Sequence, residues 1–399
     1  MRLYLLALNP TDSVTQGFLP AAARLGLSVT VLTDSVAEHQ RAYQGLEFAP
    51  EVVECPVRDH WEVISLISRL DAPAAVFSNS DHLQTQTALA AEYFGLPGKS
   101  WQATLRAKNK AELRRHLALA GLDEVWSAEL PPGRESAELD PPFPCVVKPR
   151  EGVASEDVAL AADAEELALH CKAIRHRRPG AVLVVEEFLH GELHTLETLG
   201  DGHGRRHVLG GFHTRLSPPP QFVEEVLTFV PAHPQPVTDQ VLDQLDALGV
   251  SFGACHTEFV VQPDGRVRLI EVNYRAIGDQ CDLMLAQILA VPYFELVLGA
   301  HLGRPLPADL GARTDQRARN EVVCADRAGT LTAAPGPTDL VRDGVRLAYR
   351  PLRPIGEHHE HYRTNRDYLG VIWAIGPDQG EVDRTVAEFI AANTWEITP

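Results

Sequence analysis

Two carboxylates, Glu258 and Glu271, flank an Asp264-Gly265 pair in the run His256-Thr257-Glu258-Phe259-Val260-Val261-Gln262-Pro263-Asp264-Gly265-Arg266-Val267-Arg268-Leu269-Ile270-Glu271-Val272-Asn273. Asp-Gly between two β-rich runs signals a two-residue hairpin loop. Folded about that loop, Pro263 faces Arg266, Val261 faces Arg268, Phe259 faces Ile270, Glu258 faces Glu271 and His256 faces Asn273. Like charges directly opposed across a strand pair repel, so either a cation lies between the acids or one of them holds a proton. A divalent metal is the simplest resolution, because hard cations take carboxylate and amide oxygens. Asn273, two residues beyond Glu271, projects from the same face and offers such an amide. The alternative is a solvent-exposed edge hairpin with unpaired acids. Phe259, Val260, Leu269 and Ile270 weigh against it, since they call for a packed strand pair.

The cations are equally selective. Only five of the 36 basic residues are lysines (Lys99, Lys108, Lys110, Lys148 and Lys172), so each retained lysine invites a reason. A lysine is a compact mobile charge suited to following a phosphate. Asn109-Lys110 at a helix start, Phe143-Pro144-Cys145-Val146-Val147-Lys148-Pro149, Gly152-x-x-Ser155, Val184-Val185-Glu186-Glu187-Phe188-Leu189-x-Gly191 and Glu258 followed by Glu271-x-Asn273-x-Arg275 occur in that order. Together they resemble the ATP-grasp superfamily. The nearest likeness is to its carboxylate–amine ligases, many of which carry His-Thr-Glu at the first acidic position. It covers about residues 105–303, with an α/β domain before it.

The resemblance implies roles. Lys110 and Lys148 would contact ATP phosphates, Lys148 also near the adenine edge. Gly152 and Ser155 would belong to a loop whose backbone N–H groups cover the phosphates. Glu186 would accept the adenine amino group, with the backbone of Glu187, Phe188 and Leu189 completing that edge. Glu258, Glu271 and Asn273 would hold two Mg²⁺ ions, with Mn²⁺ as an alternative. Arg275 would stabilise the transferred phosphoryl group and the acyl phosphate made from it. Arg215, in a loop after a strand, is a candidate for gripping a substrate carboxylate, against an ordinary surface arginine. His256 either orients a ligand or satisfies the hairpin. The chain departs from the family pattern twice. Asp157 replaces a common glycine in the covering loop, stiffening it and adding an anion near phosphate. Leu193 stands where a ribose-holding Glu is usual; Glu192 is the substitute, although strand alternation turns it the other way.

These residues need a scaffold. The fold class expected is α/β, with α+β character in the catalytic part: an N-terminal doubly wound parallel sheet followed by a two-lobed ATP-grasp fold. Strands are expected at Leu3–Leu8, Val29–Leu32, Val52–Cys55 and Ala74–Ser78, separated by helices at Gln16–Leu25, His60–Leu70 and His82–Phe94. Residues 1–102 form the N-terminal domain, 103–185 the small lobe, and 186–399 the large lobe with a C-terminal extension. A helix is expected over Ala103–Ala120, another over Thr238–Leu248, a long apolar one over Asp279–Leu298 and a last one over Glu381–Ala392. Strands are expected at Cys145–Lys148, Ala181–Phe188, Leu193–Leu199 and His207–His213. No GxGxxG follows the first strand, and Gly95–Ser100 lacks the strand and spacing of a phosphate-binding loop. Glu357-His358-His359-Glu360-His361 lacks zinc-ligand spacing and reads as a solvated or substrate-facing loop.

Composition bounds the partners. Lys+Arg total 36 against Asp+Glu 54, a net charge of -18, which repels nucleic-acid phosphates and anionic lipid. Neither nucleic acid nor a membrane is expected as a partner. Six scattered cysteines without a CxxC pair read as reduced thiols, and the first apolar stretch is too short for a signal core, so a cytoplasmic location is expected. The expected function is ATP-dependent amide-bond formation between small-molecule carboxylates and amines, through an acyl phosphate. Amino acids or polycarboxylates in peptide- or siderophore-like secondary metabolism are the candidate substrates. A homodimer is an expectation from the family alone. The alternatives are a bicarbonate-using carboxylase of the same superfamily and a non-catalytic nucleotide-binding regulator.

Overall fold

Alternating strands and helices at the start of the chain build a parallel sheet in a computed structural model that describes residues 1–399. Strands β1 (Arg2–Leu6), β2 (Ser28–Thr33), β3 (Glu51–Glu54) and β4 (Pro73–Phe77) lie in the order β3-β2-β1-β4, all parallel. The order reverses between β1 and β4. Loops at the carboxyl ends of those two strands therefore open a crevice, the usual ligand position in such sheets.

A second four-stranded sheet, ordered β5-β8-β6-β7, comprises β5 (Ser127–Leu130), β6 (Cys145–Pro149), β7 (Ala159–Ala161) and β8 (Leu183–Glu187). Strand alternation sorts its side chains. Cys145, Val147, Leu183 and Val185 pack on the helix Ala164–Arg177, whereas Val146, Lys148 and Glu186 face the opposite way.

The large lobe is a ten-stranded sheet. It contains β9 (Leu193–Asp201), β10 (Arg206–Val208), β11 (Gly211–Leu216), β12 (Glu224–Val230), β13 (Phe252–Val261) and β14 (Val267–Asn273), ordered β14-β13-β9-β11-β12 with β10 beside β9. Strands Arg317–Cys324, Tyr368–Gly376, Val345–Pro351 and Thr338–Arg342 continue it. The expected strand His207–His213 is two strands, broken at Leu209-Gly210, and β12 was not foreseen.

Two expected helices are also broken. Residues 103–120 divide into Trp101–Lys108 and Lys110–Leu119, because Asn109 leaves helical geometry and caps the second helix. Its Oδ1 accepts from the N–H groups of Ala111 and Glu112, both at 3.1 Å, the usual work of an N-cap asparagine. The long apolar helix becomes Cys281–Leu289 and Tyr293–His301, bent by 104° at a left-handed Ala290 followed by Pro292. This pair is buried against Leu3, Phe18, Phe77, Phe212 and Phe229 in one cluster that joins the N-terminal domain to the large lobe. At Gly17 a Cβ would lie 2.4 Å from the Phe294 ring, so the contact needs glycine. No single helix is long and apolar enough to cross a membrane.

Candidate nucleotide and metal site

The hairpin brings Glu258 opposite Glu271 and His256 opposite Asn273, as the spacing predicts, but by a different route. Gln262 and Arg266 close the turn, so the loop is the three residues Pro263–Gly265, with Gly265 at φ 82°. That is the geometry of a type I turn with a left-handed third residue. The loop shifts the pairing by one: Phe259 pairs with Leu269 rather than Ile270, and Val261 with Val267 rather than Arg268. A bulge beyond Phe259 restores the register before the acids. Two local departures thus cancel.

Glu258 and Glu271 line a cleft between the two lobes that holds about 1030 Å³ of free space, part of it open to solvent. Lys110, Lys148, Gly152, Ser155, Glu186, Glu187, Phe188 and Leu189 line it too. The Lys110 ammonium donates to Glu271 Oε1 at 2.8 Å and to the Gly152 carbonyl at 3.1 Å, spanning the lobes. Burial works against its charge, but Glu271 outweighs it and raises its pKa. Lys148 lies 2.6 Å from Glu186 Oε2; burial nonetheless holds it below the ordinary lysine range.

Glu186 is also gripped by Arg114, whose Nε donates at 3.0 Å. Burial would raise this carboxyl; Arg114 and then Lys148 overcome it and hold the pKa at about 2. Arg114 reaches on to Asp123 at 3.1 Å, and Asp123 pairs with Arg268 on β14. A buried ion network therefore braces the strand Leu183–Glu187 against the hairpin that carries Glu258 and Glu271. Sequence reasoning missed it, because its members are far apart in the chain.

The covering loop holds Ala154, Ser155 and Asp157 at φ values of 55°, 54° and 57°, left-handed geometry that costs non-glycine residues energy. Asp157 does not place its charge on the phosphate side. Its carboxylate turns to Arg177, at 2.8 Å, and to Arg178. The anion of Asp157 is therefore paired with two arginines rather than turned toward the cleft.

Four expected residues lie outside the cleft lining, and one of them, Asn273, is buried behind it, where its Nδ2 donates to Glu258 Oε1 at 3.0 Å. Glu192 is exposed, with only His213 near it at 3.6 Å, while neighbouring Leu193 lines the wall. Arg215 is exposed beside Glu225 at 3.4 Å. Alternation on β11 gives the cleft face to Leu216 instead. Arg275 follows β14 outside the cleft lining; its Nη1 donates to the Ala276 carbonyl at 2.8 Å. Glu224 at the start of β12 was missed although it lines the cleft. Burial, then Glu258, raise its pKa well above the usual carboxylate range, and Asn365 donates to it at 3.2 Å. No strand was expected over Glu224–Val230, so the alternation that separates Glu224 from Glu225 was not read. The His358–His361 segment is organised by Asp367, which accepts from the backbone of Tyr362 and Arg363 and contacts His359 at 2.9 Å. The solvated loop expected here is corrected in part: His358–His359 form a short strand paired with Thr330 and Gly329, and His359 is buried.

Behind Glu258, His256 sits 2.6 Å from Glu197. Burial opposes charge on the ring, yet Glu197 and Glu258 lift its pKa to about 10. No three or more His, Cys, Asp or Glu side chains form a closed metal cage. Two acids and an amide suit Mg²⁺, which keeps several waters and takes one or two carboxylates plus phosphate oxygens.

Residues 141–283 match the ATP-grasp domain, and the chain has the ATP-grasp fold. An uncharacterised protein of Sinorhizobium fredii, y4rH, is 28% identical over 433 residues, covering 100% of this chain and 84% of the relative. The L-amino acid ligase of Bacillus licheniformis superposes with a TM-score of 0.80 at 23% identity, covering 100% of this chain and 99% of that one. The biotin carboxylase domain of Hydrogenobacter thermophilus 2-oxoglutarate carboxylase, solved with MgADP and bicarbonate, gives 0.71 at 16% identity, covering 99% and 90%.

Proposed function

We propose that the protein is an ATP-dependent carboxylate–amine ligase. The observation that carries this reading is the cleft itself: Lys110 and Lys148 line it together with two carboxylates opposed across a strand pair, in a space sized for a nucleotide. Lys110 and Lys148 would neutralise ATP phosphates, the 151–157 loop would cover them, and the hinge at Glu186–Leu189 would seat adenine. Glu186 is already bonded to Arg114 and Lys148, so it would orient Lys148 as much as it meets the base.

Glu258, Glu271 and Asn273 would hold Mg²⁺, whose contribution is to draw charge from the phosphates during transfer. Lys110 donates to Glu271 Oε1 at 2.8 Å, which would hold the phosphate-binding ammonium beside the metal-binding acid. A substrate carboxylate oxygen attacks the γ-phosphorus and ADP leaves. The amine nitrogen then attacks the acyl carbon, inorganic phosphate leaves and the nitrogen loses a proton. Charge stabilisation and positioning suffice, without a covalent protein nucleophile. Arg275 follows the strand that carries Glu271 and Asn273; it lies outside the cleft lining, so to meet the acyl phosphate its side chain would have to leave the Ala276 carbonyl and turn inward. The likeness to an L-amino acid ligase supports amino acids as substrates.

Phosphate release tests this reading across a panel of amino acids and polycarboxylates, singly and paired. Release that requires Mg²⁺ and a carboxylate–amine pair is expected, and Glu271→Gln should abolish it while the protein stays folded. Release that depends on bicarbonate alone would indicate a carboxylase. Tight ATP binding with no release from any pair would indicate a regulator.

A further inference from the structure

Three strands place five polar side chains in a row on the cleft face of the large sheet. Register sets Thr195 opposite Glu258 and Glu197 opposite His256 across β9 and β13, and His256 opposite Asn273 across β13 and β14. The chain of contacts begins at the backbone: Phe212 N–H donates to Thr195 Oγ1 at 3.0 Å, and that hydroxyl donates to Glu197 Oε1 at 2.9 Å. The same Glu197 oxygen meets His256 Nδ1 at 2.6 Å, and the other ring nitrogen, Nε2, lies 3.5 Å from Glu258 Oε1. Asn273 Nδ2 donates to that Oε1 as well, at 3.0 Å.

Thr195, Glu197 and His256 are 1%, 2% and 6% exposed. Burying a carboxylate and an imidazole is costly unless both are paired, and here each is paired with the other. The pairing also has a direction. Glu197 fixes the rotation of the ring, and the ring with Asn273 occupies one oxygen of Glu258. The second oxygen, Oε2, has no protein partner.

We propose that Glu197 and His256 are positioning residues that lock the rotamer of Glu258 and leave Oε2 free for the divalent cation. This rests on the metal reading above. Partners behind a ligating side chain typically change metal affinity by about 10- to 100-fold. A residue that only filled the sheet would alter stability and leave affinity unchanged in whatever folded protein remained.

Mn²⁺ is the probe, with its binding in the presence of ADP followed by electron paramagnetic resonance of the free ion. Glu197→Gln keeps the side-chain volume, and His256→Gln removes the ring; either suffices if the other fails to fold. Each is expected to weaken Mn²⁺ binding by at least about tenfold, with ADP affinity in EDTA within about twofold of the parent. A folded Glu197→Gln protein that binds Mn²⁺ within about twofold of the parent would overturn the proposal. Glu258→Gln separates the two readings. If that variant keeps full Mn²⁺ affinity, the metal assignment itself fails and this inference falls with it.

Discussion

Buried carboxyls in this protein are governed by their neighbours, and Asp282 shows the case without a cation partner. It is fully buried; Oδ1 accepts from the Leu283 N–H at 2.8 Å and Oδ2 has no partner. Burial raises its pKa to about 7, in contrast to Glu186, where Arg114 and Lys148 win. Because the folded pKa lies above the unfolded one, the native state holds the extra proton between about pH 4 and 7. Stability contributed by Asp282 is complete below the unfolded pKa and is lost as pH rises through 7, at no more than about 1.4 kcal/mol per pH unit. Asp282→Asn should therefore melt higher than the parent at pH 8, and the gain should vanish near pH 4. An equal difference at both pH values would refute the account of this residue.

At the scale of elements, the site depends on where helices and strands break. Asn109 interrupts the expected helix so that Lys110 starts a new one, with its ammonium between Gly152 and Glu271. Asn109→Ala should cost about 1 kcal/mol in denaturant unfolding and raise the KM for ATP more than it lowers kcat; an unchanged KM would contradict the link between cap and lysine. The same breaks mark the limit of what sequence could tell. Periodicity found the parallel sheet, the hinge strand and the hairpin, because apolar alternation records which face is buried. The Glu258–Glu271 pairing was legible even though Asp264-Gly265 misled about loop length, since the bulge compensates. Arg215, expected in a loop, lies on β11 facing away from the cleft, and Glu192 is turned away as strand alternation indicated. The Arg114–Asp123–Arg268 brace and the Glu197–His256 pair were not legible, because they join strands and helices distant in sequence.

The whole molecule is tied together across the cleft. Glu156 in the covering loop pairs with Arg366 of the C-terminal segment and with Arg178 of the small lobe, so one loop carboxylate links two parts of the chain. Arg366 is largely exposed, and such pairs contribute at most about 1 kcal/mol. Arg366→Ala should therefore speed amide hydrogen exchange over residues 151–157 by no more than about fivefold. About 1 M salt should erase the difference; an effect that survives salt would mean that the contact is not electrostatic. With a net charge of -18 the surface is strongly acidic, yet the cleft gathers Lys110 and Lys148 against paired acids. A polyanion can thus bind an acidic protein when a cation accompanies it.

In the proposed reaction a substrate carboxylate attacks the γ-phosphate. Supplying amino acids with both carboxylate oxygens as ¹⁸O, with MgATP, and weighing the released phosphate by mass spectrometry tests that step. One ¹⁸O per phosphate formed is predicted, because the attacked oxygen leaves with the phosphoryl group. Full turnover to unlabelled phosphate would contradict it.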